Sequence, residues 1–109
     1  MDYRIIWTPR SLETLEDALT RIAVDNPTAA RHLGERIFNQ VSILAQFPRL
    51  GHVFHELQRD DVRETLVKPY RVIYRVHDDR HAVSILTLWH TSRREPMILP
   101  DDSGSSISP

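Results

Sequence analysis

The sequence predicts an α+β domain: one strand, an antiparallel helical hairpin, then a curled antiparallel sheet of three further strands, in the order β-α-α-β-β-β. Three observations predict it. Two segments carry apolar residues at spacings of three and four, and a capping residue and a proline introduce each of them. Three later segments alternate, with β-branched and aromatic residues over-represented. The connections between those three are short, which favours a meander of antiparallel neighbours.

Tyr3 to Trp7 (YRIIW) is short, β-branched and aromatic, and reads as a strand. Thr8-Pro9 then starts a helix, with Thr8 as N-cap and Pro9 at the first helical position. Leu12, Leu15, Leu19 and Ile22 form its apolar stripe, with Glu13, Glu16, Asp17 and Arg21 outside it. Asn26-Pro27 repeats the same logic for a second helix. Its stripe is Ala30, Leu33, Ile37, Val41 and Leu44, widened by Phe38 and Ala45. The short turn between the stripes predicts a hairpin. Phe47-Pro48-Arg49-Leu50-Gly51 ends the second helix, and residues 52–61 read as a polar, irregular loop. Val62–Val67, Arg71–Val76 and Ala82–Trp89 are the three strands. Lys68-Pro69-Tyr70 and Asp78-Asp79-Arg80-His81 are their turns. One domain over residues 1–99 is expected, followed by a disordered tail over 100–109 that lacks core residues.

Composition narrows the function. With 109 residues there is room for one core. No cysteine is present, which excludes disulfides and thiolate metal sites. No export signal and no apolar run of membrane-spanning length is evident, so a cytoplasmic protein without membrane contact is expected. The formal net charge is −1, which argues against broad nucleic-acid binding. Yet 13 of the 14 basic residues are arginine, Lys68 being the exception. Arginine holds carboxylates and phosphates through a planar fork. Three glycines and no phosphate-binding loop argue against nucleotide hydrolysis. His52-x-x-His55-Glu56 offers metal-type ligands without a cysteine or a second pair beside it, so neither metal nor cofactor is expected.

Several stretches, in order, resemble the RelE/ParE toxin superfamily. They are YRIIWTPRSLETLEDAL, Pro27-Thr28-Ala29-Ala30, the Phe-Pro-x-x-Gly turn at Phe47–Gly51, Val62-Arg63-Glu64, the strand Tyr70-Arg71-Val72-Ile73-Tyr74-Arg75-Val76, and the closing run from Ile85 through His90 to Arg93. Together they cover roughly residues 3 to 94. The resemblance implies a type II toxin, a plasmid-stabilisation protein neutralised by a cognate antitoxin whose flexible acidic tail folds on it. DNA is then met only through that antitoxin.

Two branches of the superfamily differ in chemistry. RelE-like members cleave messenger RNA on the ribosome; ParE-like members inhibit DNA gyrase and are not nucleases. In the nuclease reading Arg71 would stabilise the phosphate and His90 would act as acid or base, with Glu56 or Glu64 as a carboxylate base. The single lysine, Thr91 after His90 and the lack of any tyrosine beyond Tyr74 depart from the nuclease pattern. Gyrase inhibition is therefore the expected action, with Arg63, Arg71, Arg75, Trp89, Arg93 and Arg94 as candidate target or antitoxin contacts. An inactive, antitoxin-binding co-repressor is the third possibility. His90 alternates with Leu88 and Leu86 and equally reads as a cap on the core. Arg71 and Arg75 equally read as salt-bridge partners of Glu64 from the neighbouring strand.

Overall fold

Single capping residues set the first half of the fold. The computed structural model describes residues 2–55 and 57–93. Glu56, Arg94 and the predicted tail over 100–109 lie outside the described residues. Strand β1 (Arg4–Trp7) leads into helix α1 (Pro9–Asp25). Thr8 is extended, at φ −72° and ψ 159°, and its Oγ1 accepts the Ser11 N–H at 3.1 Å. Asn26 then serves both helices. Its N–H donates to the Ile22 carbonyl, closing α1, while its Oδ1 accepts the Ala29 N–H and opens α2 (Pro27–Ile43). Both expected caps and both proline positions are observed. Gly34 faces Leu19, and Phe38 lies beside Leu12 and Leu15, so the two helices run in opposite directions.

Four more strands complete one five-stranded sheet: β2 (His52–Val53), β3 (Val62–Val67), β4 (Tyr70–His77) and β5 (Ala82–His90). Their spatial order is β1-β5-β4-β3-β2. Two features differ from the sequence reading. The sheet is mixed, because β1 lies parallel to β5, with Arg4 opposite Ala82 and Trp7 opposite Ile85. The start of the expected loop at 52–61 is a two-residue strand that pairs with β3, His52 opposite Glu64. So short a strand has no periodicity to read.

The two faces of the sheet hold separate apolar clusters. Against the helices pack Leu15, Leu33, Ile37, Val41 and Leu44 with Tyr70, Val72, Tyr74, Val83, Ile85 and Leu88. On the opposite, outer face Phe54, Val62, Ile73 and Leu86 form a second cluster, joined by Leu57 and Trp89. Burial of the α2 stripe follows the spacing of Ala30, Leu33, Ile37, Val41 and Leu44. Leu12 and Phe38 belong to the apolar stripes but stay half exposed.

One irregularity positions the site. Between Ile73 and Tyr74 the β4–β5 register shifts by one, so that Ile73 faces Thr87 while Tyr74 faces Ile85. Leu86 is the extra residue. It turns into the outer cluster, and every side chain beyond it on β5 changes face. Past the end of β1, the cap of α1 and a side chain of its second turn take up the open edge of β5. Thr8 Oγ1 donates to the Ile85 carbonyl at 2.7 Å, and Thr14 Oγ1 accepts the Leu88 N–H at 3.0 Å.

Candidate functional site

The bulge decides which candidate residues meet. Arg71 stands opposite Trp89 and His90 opposite Tyr70. Neighbours along a strand point to opposite faces. Arg71 and Trp89 therefore occupy the outer face, and His90 occupies the helix face. There it meets the Tyr70 ring edge-on, with centroids 5.1 Å apart and planes at 86°. The two residues of the nuclease reading stand on opposite sides of the sheet. Leu88 does share the face of His90, as alternation suggests; Leu86 does not, because it is the bulged residue.

On the outer face Arg71 and Glu64 form a close pair, Nε to Oε1 at 2.6 Å, each about one-sixth exposed. The guanidinium also lies 5.6 Å from the centre of the Phe54 ring. Glu64 is thus the partner that the salt-bridge reading assigned to Arg71. Beside the pair a hollow of about 220 Å³ is lined by His52, Glu64, Leu66, Arg71 and Thr91. Arg75 pairs instead with Asp61, at 2.9 Å.

Arg63 does not open toward a partner. Its guanidinium folds back on the Gly51 carbonyl at 2.8 Å and on Asp60 at 2.6 Å, clamping the chain around β2. Arg93 is exposed near His90. His77 is buried and hydrogen-bonded to Ser84 at 3.0 Å, and His81 stacks on Tyr3. His52 and His55 are exposed. Among the described residues no three histidine, aspartate or glutamate side chains converge as a metal-binding group, and no helix is long and apolar enough to cross a membrane.

A second charged network closes the far end of the sheet. Arg49 reaches Asp60 with Nε and grips both oxygens of Asp78, at 2.9 and 3.1 Å, and the Tyr3 hydroxyl donates to Asp78 at 2.7 Å. Arg49, then Tyr3, hold the Asp78 carboxyl below its ordinary range, and Arg49 with Arg63 does the same for Asp60. At Asp61 partial burial pushes upward and is outweighed by Arg59 and Arg75. Depressed carboxylates stabilise the fold above their unfolded value, about pH 3.9, and that contribution is lost as pH falls through the lowered folded values. The melting temperature is therefore expected to drop below about pH 4, and less steeply in Asp78→Asn. Thermal melts between neutral and strongly acidic pH check this; identical slopes in the two proteins would contradict it.

Two features were not visible in the sequence: the Tyr70–His90 pairing and the approach of Asp17 and Arg21 to His90. A half-exposed apolar groove also runs between the helices. Leu12, Leu15, Leu19 and Phe38 line that groove, and it continues past Gly34 to Ala30.

Comparison with known proteins fits this architecture. Residues 5–95 match the family described as the ParE toxin of the type II toxin–antitoxin system parDE. A curated relative is Y4kP, a proposed toxin of Sinorhizobium fredii (strain NBRC 101917 / NGR234). It is 34% identical over 101 residues, spanning 88% of this chain and 96% of the relative. Among solved structures, the chromosomal ParDE system of P. aeruginosa superposes with a TM-score of 0.66 at 21% identity, covering 81% of this chain and 95% of that one. The RelBE2 toxin–antitoxin complex of Mycobacterium tuberculosis gives 0.56 at 22% identity, covering 83% and 99%. The isolated E. coli RelE toxin gives 0.61 at 16% identity, covering 85% and 88%. These structures share the fold, and the match over residues 5–95 carries the assignment: the chain belongs to the ParE toxin family of type II toxin–antitoxin systems.

Proposed function

We propose that this toxin arrests growth by inhibiting DNA gyrase, and that a cognate antitoxin neutralises it by folding along the groove between α1 and α2. One observation carries the choice of target: Arg71 and His90 lie on opposite faces of the sheet. Cleavage through a 2′-hydroxyl needs a base, an acid and a cation around one phosphate. Here the Arg71 charge is taken up by Glu64 at 2.6 Å, and the histidine is out of its reach. The near-neutral chain also lacks the lysine-rich surface that a ribosome-bound nuclease would use. For the antitoxin, half-exposed Leu12 and Phe38 over the buried flank of Leu15 offer an apolar groove of the kind an amphipathic helix fills.

The test is supercoiling by purified gyrase with and without the protein, scored for trapped cleaved DNA. Inhibition with trapped breaks is the expected result. Unaffected gyrase, together with cleavage of ribosome-bound message that Arg71→Ala abolishes, would overturn the proposal in favour of the nuclease reading. A chain that neither touches gyrase nor stops growth when expressed without antitoxin would be a co-repressor.

A further inference from the structure

The side of α1 away from the groove carries a second feature of a different kind. Between α1 and the end of β5 a cleft of about 50 Å³ is lined by Thr14, Asp17, Arg21, Tyr70, His90 and Arg93. Ala18 and Leu88 make its apolar floor. The volume suits one small polar group.

The chemistry of the lining is specific. His90 Nδ1 accepts the Ser92 backbone N–H at 3.0 Å and lies 2.7 Å from Ser92 Oγ. An N–H donor on Nδ1 fixes the proton of the neutral ring on Nε2. The ring is thereby held as a hydrogen-bond donor, and its orientation is set by the edge-on Tyr70 ring. Arg21 and Arg93 flank it, and among the described residues neither is paired with a carboxylate. The two arginines of the adjoining strand β4, Arg71 and Arg75, both are. Two arginines without a carboxylate partner, beside an imidazole whose neutral form carries its proton on Nε2, give this lining the character of an anion receptor. Asp17 supplies the one opposing charge.

We propose that this cleft receives a single carboxylate, presented by an acidic side chain of a partner peptide that crosses α1 from the apolar groove. The proposal rests on the antitoxin reading above and names a polar anchor for it. A carboxylate fits better than a nucleic-acid phosphate because the solvent face of α1 bears Glu13, Glu16 and Asp17, all exposed. That acidic row repels a nucleic-acid backbone, charged at every nucleotide, more than a peptide that presents one carboxylate at the cleft. Groove and cleft lie on opposite sides of α1, so a peptide seated in the groove reaches the cleft by crossing the helix, about 10–12 Å wide with its side chains.

The experiment is a calorimetric titration of the full chain with the antitoxin encoded beside it, for the wild type, Arg93→Gln and Phe38→Ala. Arg93→Gln is expected to weaken binding by about tenfold, the value of one lost charge-assisted hydrogen bond. Acetate added at constant ionic strength is expected to weaken the wild type and leave Arg93→Gln unchanged. An Arg93→Gln chain that binds as tightly as wild type, while Phe38→Ala weakens binding, overturns the cleft and leaves the antitoxin reading standing. Phosphate competing more strongly than acetate at equal charge concentration overturns the carboxylate assignment. If the wild type does not bind the antitoxin at all, that reading fails first. Direct titration of the toxin with acetate, followed through the His90 ring resonances, then judges the cleft, and the lack of a saturable shift overturns it.

Discussion

Replacing Ile37 with alanine is expected to destabilise the toxin by about 2–5 kcal/mol, the range for deleting a fully buried branched side chain. Ile37 has no exposed surface and belongs to the cluster that joins α2 to the middle of the sheet, with Leu33, Val41, Val72, Tyr74 and Ile85. A cavity there opens at the junction of two layers, where neither helix nor sheet can collapse without losing its own packing. In a domain of this size the loss is a large part of the whole stability, roughly 5–15 kcal/mol, and corresponds to a drop of about 10–25 °C in Tm. Phe38→Ala, one position along the same helix, is the control. Phe38 is half exposed and touches Trp7 at 5.3 Å between ring centres, so its loss is expected to cost about 1 kcal/mol or less. Thermal melts followed by circular dichroism separate the two. Equal shifts would mean that Phe38 is as much a core residue as Ile37, and that the groove it lines is closed.

That contrast marks how far the sequence carries. The spacing of Ala30, Leu33, Ile37, Val41 and Leu44 identified the buried face of α2, because a helix repeats its faces at a fixed angle. Thr8 and Asn26 identified both helix starts, because a capping side chain and the proline after it act within four residues. Spacing cannot separate a residue that faces the core from one at its rim, so Phe38 and Leu12 joined the stripes although both face a groove. Pairing partners were less legible. That β1 lies parallel to β5, about 78 residues away, depends on where the hairpin of helices delivers the chain. Strand β2 is too short to leave any pattern.

The site was legible as a set of residues and illegible as a geometry. Strict alternation along β5 from Val83 and Ile85 would place Thr87 and Trp89 against the helices, and His90 on the outer face with Arg71. The extra residue at Leu86 reverses this, and no local signal in Ile85-Leu86-Thr87 announces it. The choice between a joined and a divided pair of candidate catalytic residues therefore hangs on one bulged position. Arg63 shows the converse. It was expected as a contact residue, and its guanidinium is instead engaged within the chain by the backbone carbonyl of Gly51 and the carboxylate of Asp60.

Gly51→Ala is expected to be the most damaging single-carbon change in the chain. The Gly51 N–H donates to the buried Tyr74 hydroxyl at 2.9 Å, and its carbonyl accepts from Arg63 at 2.8 Å. A Cβ at this position would run into the backbone carbonyl of Glu64, which cannot swing aside as a flexible side-chain end would. This is the physical reason for glycine at the end of the Phe47–Gly51 turn. Relieving the clash moves β2 away from β3, at a cost of about 1–3 kcal/mol or more. Tyr74→Phe attacks the same joint from the other side. It leaves a buried N–H without its partner, for about 1–3 kcal/mol. Burial pushes the Tyr74 hydroxyl above its ordinary value, against the Gly51 N–H, Arg63 and Arg49, which pull it down. Because both changes break one contact, the double variant is expected to lose less than the sum of the singles. Glu64 carries both the carbonyl that meets Gly51 and the carboxylate that holds Arg71. Shifting the joint should therefore loosen the Arg71 pair as well, visible as faster exchange of the Arg71 Nε proton. Strictly additive losses with an unchanged Arg71 signal would show that turn and outer face are held independently.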